Sequence, residues 1–225
     1  MKYIFLISGK LQSGKNQFAE YVSEHLSYND IRVTEDLFAK GVKDGCKEDF
    51  KKFTDCLNDK LYNIEQMVYN LGGHDLIMND TISAIHDLKI YDDNWYENKT
   101  DLTRVLLQTY GTEIFRDRVD QEYWPKQLCE RCESSDSDVI LITDVRFENE
   151  VSMLKDLGRN NLDIQVVSIR IEREMERAND FNEHPSETAL DEYDKWDYVV
   201  TNNDSLEMLQ SCALEIANEI YFEED

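Results

Sequence analysis

The sequence predicts an α/β fold in which a mainly parallel sheet is covered by helices on both faces. Three observations predict it. Tyr3–Ile7 is an unbroken apolar run, as a strand buried on both faces requires, and Val139–Thr143 reads as a second buried strand. Ile164–Ile171 and Tyr198–Thr201 supply two further strands. Stretches of helical periodicity separate these runs, and parallel neighbours need such crossovers.

The elements follow in order. From Asn16 onward, Phe18, Ala19, Tyr21, Val22 and Leu26 recur at helical spacing. Ile31–Thr34 reads as a second strand. Residues 50–99 are acidic with apolar positions at irregular helical spacing, which reads as helices inserted between core strands. Leu102–Leu107 opens another helix, and between Leu102 and Phe115 the apolar Leu102, Val105, Leu106 and Tyr110 share a face. Arg104 and Gln108, four apart, share the opposite one. Glu133–Asp138 is a polar loop before the Val139 strand. Val151, Leu154 and Leu157 mark a helix that Gly158 would stop. Asp204 and Glu207 form a capping box for a last helix carrying Leu206, Leu209, Ala213, Ile216 and Ile220. No internal repeat interrupts this order. The chain of 225 residues reads as one domain, 1–225, with 44–100 as a helical insertion and 170–190 as an arginine-bearing lid.

Composition excludes some functions. Lys plus Arg number 24 against 48 Asp plus Glu, a formal charge of −24. That field repels the phosphate backbone, so no nucleic-acid partner is expected. A small anionic ligand would need a local basic cluster. Five cysteines, an odd count without regular spacing or a secretory signal, suit reduced thiols in a cytosol. Cys129 and Cys132 make a lone CxxC, too few ligands for zinc. Asn98-Lys99-Thr100 matches a glycosylation acceptor by chance alone. The Tyr3–Ile7 run is too short for a membrane span and is not a signal peptide, so no membrane partner is expected.

The strongest motif is Gly9-Lys10-Leu11-Gln12-Ser13-Gly14-Lys15-Asn16. It matches GxxxxGK and lies between a strand and a helix, where a phosphate-binding loop must lie. The glycines let backbone N–H groups curl round phosphate oxygens, the helix N-terminus adds its dipole, and Lys15 reaches the β and γ phosphates. Gly9, Lys10, Gln12, Ser13, Gly14, Lys15 and Asn16 are thus the expected ATP-binding residues. Asn16 stands where the motif asks for Ser or Thr on Mg²⁺, and an amide is a poorer ligand, so Ser13 is a possible substitute. No metal ligand is certain: Mg²⁺ would be held through water, with Asn16 and Asp144 as candidates.

Asp144-Val145-Arg146 ends the Val139–Thr143 strand, and ligands of open α/β sheets bind beyond that edge. The aspartate can hold Mg²⁺ water and the arginine can clamp a phosphate. Arg170, Arg173 and Arg177 follow the third strand and could close over phosphates, although Glu172, Glu174 and Glu176 offer ordinary ion pairs to the last two. His184 has no Ser or Cys arranged with it, so no triad is assigned.

With these residues in view, the chain resembles viral, phage-type deoxynucleoside monophosphate kinases of the adenylate-kinase-like P-loop family. The resemblance rests on ISGKLQSGKN, LTRVLLQTYGTEIFRDRVDQEYWPKQL, ITDVRFENEVSMLKDLG and HPSETALDEYDKWDYVVTNNDSLEML. FAKGVK is similar to a family FAxPLK element, with Gly41 in place of the proline. The resemblance thins over residues 44–99. It implies a P-loop NTPase three-layer sandwich and transfer of a phosphoryl group from ATP, with Mg²⁺, to a deoxynucleoside monophosphate. It implies that Lys43, Arg104, Gln108, Glu113, Arg116 and Glu187 serve the acceptor, and that Lys15, Asp144, Arg146 and Arg170 serve the transfer. It also implies a host-cytoplasmic location and a homodimer. Two other readings share parts of the pattern. Animal-type phosphomevalonate kinase has an SGKxxSGK loop, a DxR strand end and an SExxLD element. A non-catalytic nucleotide binder would fit Asn16. The GTE and YW segment favours the nucleotide kinase.

Overall fold

The structure is a computed structural model and describes residues 1–48, 107, 109–174 and 188–222. The chain forms two compact units, Met1–Gly41 with Phe115–Asp225, and Val42–Ile114. In the first unit the described strands are β1 (Lys2–Ser8), β2 (Val33–Asp36), β3 (Val139–Ile142), β4 (Ile164–Glu172) and β5 (Tyr198–Thr201). They form one sheet in the order β2-β3-β1-β4-β5, with every pairing parallel. The helices are α1 (Lys15–Tyr28), α2 over residues 38–48, a π-helix (Thr109–Val119), α3 (Tyr123–Ser134), α4 (Glu148–Asn160) and α5 (Leu206–Phe222).

The apolar run of β1 is central because both its edges are paired, to β3 and to β4. Its alternate side chains enter two cores. Tyr3, Phe5 and Ile7 pack with Phe18, Val22 and Leu26 of α1 and with Leu209, Ala213 and Ile216 of α5. Ile4 and Leu6 pack with Leu128 of α3 and with Val151 and Leu154 of α4. The three layers are thus helix, sheet, helix, as the alternating sequence requires. An ion pair fastens the edge strand: Arg131 Nε donates to Asp36 Oδ2 at 2.8 Å, and Arg131 Nη2 donates to the Leu37 carbonyl at 2.9 Å.

Several boundaries differ from the expectation. β2 lies two residues later than Ile31–Thr34, and Ile31 turns into the core instead. Gly158 does not stop α4, which runs to Asn160. A Cβ at Gly158 would sit 3.0 Å from Val166 Cγ2, so the glycine admits β4 against the helix. The last helix is capped by Ser205, whose Oγ accepts from Met208 N at 3.4 Å, one residue after Asp204. Helical spacing near Tyr110 resolves as a π-helix, and Gly111 within it weakens the α alternative. Helix α3 was not anticipated, although Trp124, Leu128 and Cys132 recur every fourth residue and Pro125 suits a first turn. The expected helices of 50–99 and the lid segment of 175–187 lie outside the described residues.

In the second unit, Cys46 and Tyr110 are buried, and a Cβ on Gly111 would fall 2.9 Å from Val42 Cγ1. Among the described residues Cys129, Cys132 and Cys212 are free thiols. Burial pushes the Cys129 thiol up to about 11 and the Cys132 thiol up to about 12, which leaves the CxxC inert at neutral pH. Among the described residues no helix is long and apolar enough to cross a membrane.

Leu141 of β3 is fully buried. Leu141→Ala is expected to lower stability by about 2–5 kcal/mol, read as a lower urea midpoint with an unchanged slope.

Candidate active site

β1 is the switch point of the sheet: β3 and β2 lie to one side of it, β4 and β5 to the other. The loop after β1 therefore opens into the crevice beyond the carboxyl ends of the strands. A pocket there is lined by Ser8, Gly9, Lys10, Lys15, Asp144, Val145, Arg146, Arg170 and Leu190. Lys15, Asp144, Arg146 and Arg170, which come from three separate stretches of sequence, thus meet in one place.

The glycine loop is built as the motif demands. Gly14 has φ 96°, a left-handed backbone that glycine adopts without strain, and it caps α1 by accepting from Phe18 N at 2.9 Å. Gln12 has φ 65° and shares the strain of the turn. A Cβ on Gly9 would lie 2.7 Å from the Ile171 carbonyl oxygen, so a side chain there would force the loop off β4. Lys15 Nζ donates to the Lys10 carbonyl at 3.3 Å, curled over its own loop. Asn16 is exposed at the start of α1. Ser13 is buried, and its Oγ has no hydrogen-bond partner among the described residues.

Cations and carboxylates interleave around this loop. Arg170 is 8% exposed. Its Nη1 donates to Ser8 Oγ at 3.0 Å, and Ser8 Oγ donates to the Val145 carbonyl at 3.1 Å. Burial works against the Arg170 cation, and Asp191 works for it. Asp191 meets Arg170 at 3.5 Å and Lys10 Nζ at 2.8 Å. Two cations of the site therefore face a carboxylate of the chain itself.

Asp144 accepts from Phe38 N at 2.9 Å and from Ala39 N at 2.7 Å, which caps the start of α2. Burial pushes its carboxyl above the ordinary range. Glu150 stands behind Arg146. Its Oε2 accepts from Arg146 N at 2.7 Å and from Phe147 N at 3.0 Å, the reach-back arm of a capping box on α4. Burial first, and then nearby Asp144, raise the Glu150 carboxyl from 4.5 to about 8 against those two bonds and Arg116. Arg116 stacks 3.6 Å from the Phe147 ring centroid and donates to Asn149 Oδ1 at 2.8 Å. Phe115, Tyr123 and Trp124 form an aromatic cluster with centroids 4.7–5.1 Å apart, so the YW pair serves packing.

The remaining expected residues divide. Lys43 is half-buried on α2, and Arg173 is exposed just past β4. The Glu113 side chain, Arg104, Gln108, Arg177, His184 and Glu187 lie outside the described residues. Ser8, Glu150, Asp191 and Asn202 were missed. Glu150 follows Arg146 by four in DVRFENE, at the third position of a helix, where a back-reaching acid is diagnostic. Asn202 directly follows the β5 strand at the ligand-binding edge, which is also a readable signal.

A five-stranded parallel sheet with this loop at its switch point defines a phosphate-binding α/β protein of the P-loop class. The chain belongs to the deoxynucleotide monophosphate kinase family, whose model matches residues 43–212. It is 32% identical over 120 residues to a deoxynucleoside-5'-monophosphate kinase of Escherichia phage T5, across 50% of this chain and 46% of that protein. The chain thus matches about half the length of the phage relative. It is 26% identical over 226 residues to a protein of Acanthamoeba polyphaga mimivirus provisionally named a deoxynucleotide monophosphate kinase, across 94% and 93% of the two chains. Its fold also overlays on an unliganded sugar kinase from Janibacter sp. HTCC2649, with TM-score 0.39, 13% identity and coverage of 96% and 93%.

Glu150 gives this site a pH signature. The carboxyl titrates near 4.5 when unfolded and about 8 when folded. Between those values the folded chain keeps a proton that the unfolded chain has lost. Its contribution to stability is therefore complete at low pH and declines as pH rises through the window. Glu150→Gln, a neutral acceptor of the same shape, is expected to flatten that part of a pH series of urea unfolding curves.

Proposed function

We propose that the chain transfers the γ-phosphoryl group of ATP to a deoxynucleoside monophosphate, giving the diphosphate and ADP. The observation that carries the reading is the meeting of Lys15, Asp144, Arg146 and Arg170 in one pocket beside the glycine loop. Membership of the family supports the acceptor class. In the reaction an oxygen of the acceptor phosphate attacks Pγ, and the bond from Pγ to the β-phosphate oxygen breaks. Nothing covalent forms on the protein. Its task is to align two anions, exclude water and spread positive charge over the equatorial oxygens.

On this reading Gly9, Lys10, Gln12, Ser13 and Gly14 cradle the phosphates, and Lys15 reaches the β and γ groups. Arg146 and Arg170 meet the transferring phosphoryl group. Lys43, Arg104, Gln108, Glu113, Arg116 and Glu187 serve the acceptor, with 44–100 as the acceptor region and 170–190 as the lid of a single domain. Among the described residues no three acids, histidines or cysteines cluster as metal ligands, and Asp144 alone lines the pocket with a carboxylate. That donor set fits a Mg²⁺ that arrives on the nucleotide and keeps most of its waters. Such an ion would neutralise charge between the β and γ phosphates, with Asp144 and Asn16 holding its water. The chain works without nucleic acid or membrane, as a homodimer in a host cytoplasm.

An ADP-release assay with the four deoxynucleoside monophosphates, and with phosphomevalonate as control, tests the assignment. Faster turnover of phosphomevalonate than of any nucleotide sinks it. Lys15→Ala is expected to fold normally and to lose on the order of a hundredfold or more in kcat, because its charge is used most in the transition state. Arg104→Ala is expected to raise the acceptor KM and to lower kcat/KM by about 1.5–3 kcal/mol, with ATP binding little changed. An unaltered acceptor KM would return Arg104 to a solvated helix face.

A further inference from the structure

We infer that Asn202 is a positioning residue for the nucleotide phosphates, acting through the glycine loop that its side chain holds. The inference rests on the phosphate site proposed above. Asn202 directly follows β5 and is 6% exposed, a buried amide beyond the carboxyl edge of the sheet. Its Nδ2 donates to the Ser13 carbonyl at 2.8 Å. Its backbone N–H donates to the Glu172 carbonyl at 2.7 Å, which anchors it to the end of β4. The neighbouring Asn203 accepts from Glu174 N at 2.9 Å on that same segment.

The fit is two-sided. A Cβ on Gly14 would lie 2.3 Å from Asn202 Nδ2, so the amide occupies the space that Gly14 leaves empty. Gly14 is thus needed for its left-handed backbone and also for this contact. The consequence for the loop is geometric. The Ser13 carbonyl and the Gly14 N–H belong to one planar trans peptide and point in opposite directions. Fixing the carbonyl on Asn202 therefore aims the Gly14 N–H away from the β5 turn. That N–H and the helix start behind it are the groups a phosphate-binding loop presents to an anion. Without the amide, the buried Ser13 carbonyl loses its donor, and the peptide is free to rotate toward other partners. A second arrangement would spread the loop over several conformations and weaken every phosphate contact together.

The argument needs a donor at this position as well as a shape. Asn202→Asp keeps the shape and replaces the donor with a carboxylate. Asn202→Ala removes both. Calorimetric titration with inorganic tripolyphosphate reads the loop alone, and ATP and acceptor kinetics read the site. Both variants are expected to bind tripolyphosphate about tenfold or more weakly and to raise the ATP KM in step, while the acceptor KM changes less than about twofold. A thermal melt fixes the folded fraction in each case. Wild-type tripolyphosphate affinity in the folded fraction of either variant overturns the inference and makes Asn202 a packing residue. A wild-type chain that binds tripolyphosphate but phosphorylates no deoxynucleoside monophosphate overturns the proposed function and leaves this inference standing.

Discussion

β1 pairs along both edges and is buried on both faces, and the position of the glycine loop follows from that. The loop leaves Ser8, which is itself in register with Arg170 of β4. The cation and the loop are therefore set by one ladder of backbone hydrogen bonds. On the other edge, β3 ends at Ile142 and delivers Asp144 and Arg146 to the same crevice. Each of these residues sits within a few positions of a strand end, so backbone pairing holds them more tightly than side-chain contacts could. Such a frame suits phosphoryl transfer, where rate depends on alignment more than on any single reactive group.

Electrostatics adds a second constraint. A chain with net charge −24 must gather anionic ligands against its own field. The site answers with cations held close to the chain's own carboxylates. Lys10 and Arg170 face Asp191. On the proposed function, phosphate binding at Lys10 and Arg170 would be an exchange of one anion for another. The exposed Lys10–Asp191 pair is worth little by itself in water, so exchange there costs little. The buried Arg170 is different, because its partners Ser8 and Asp191 keep a desolvated cation satisfied. On the proposed function it would stand ready for the phosphate, while the exposed Lys10 would swing toward it.

Much of this was legible in the sequence, for physical reasons. Strands buried on both faces write themselves as apolar runs, so β1, β3 and β4 were readable to within about a residue at each end, and the β-branched and aromatic run of β5 was readable although one of its faces is exposed. The glycine loop was readable because its backbone angles admit few residues other than glycine at Gly14. The edge strand β2 was misplaced by two residues because none of its four residues is fully buried and only Val33 is apolar. Gly158 misled because a glycine near a helix end suggests a stop, whereas here it makes room for Val166. Asp191 was not read because its partners Lys10 and Arg170 lie far off in the sequence, whereas Glu150 and Asn202 left local signals, a back-reaching acid and a strand-end amide, that no periodicity marks.

The same distinction explains why, on the proposed function, the donor half of the site would be more legible than the acceptor half. ATP phosphates are bound mainly by backbone groups of a loop whose sequence is nearly obligatory. An acceptor nucleotide is bound by side chains whose identity depends on base and sugar, and polar residues of that kind resemble any solvated helix face. Arg116 illustrates the point. Sequence resemblance places it with the acceptor, yet its guanidinium lies on the Phe147 ring and bonds Asn149 at the start of α4. Burial weakens its preference for the charged form, and Glu150 and Asp117 oppose that. An arginine fixed in this way presents its remaining N–H groups with little loss of side-chain entropy, which favours a phosphate over water as the next partner. Packing and acceptor recognition are then compatible uses of one residue, because the stacked face holds the fork that a phosphate would meet.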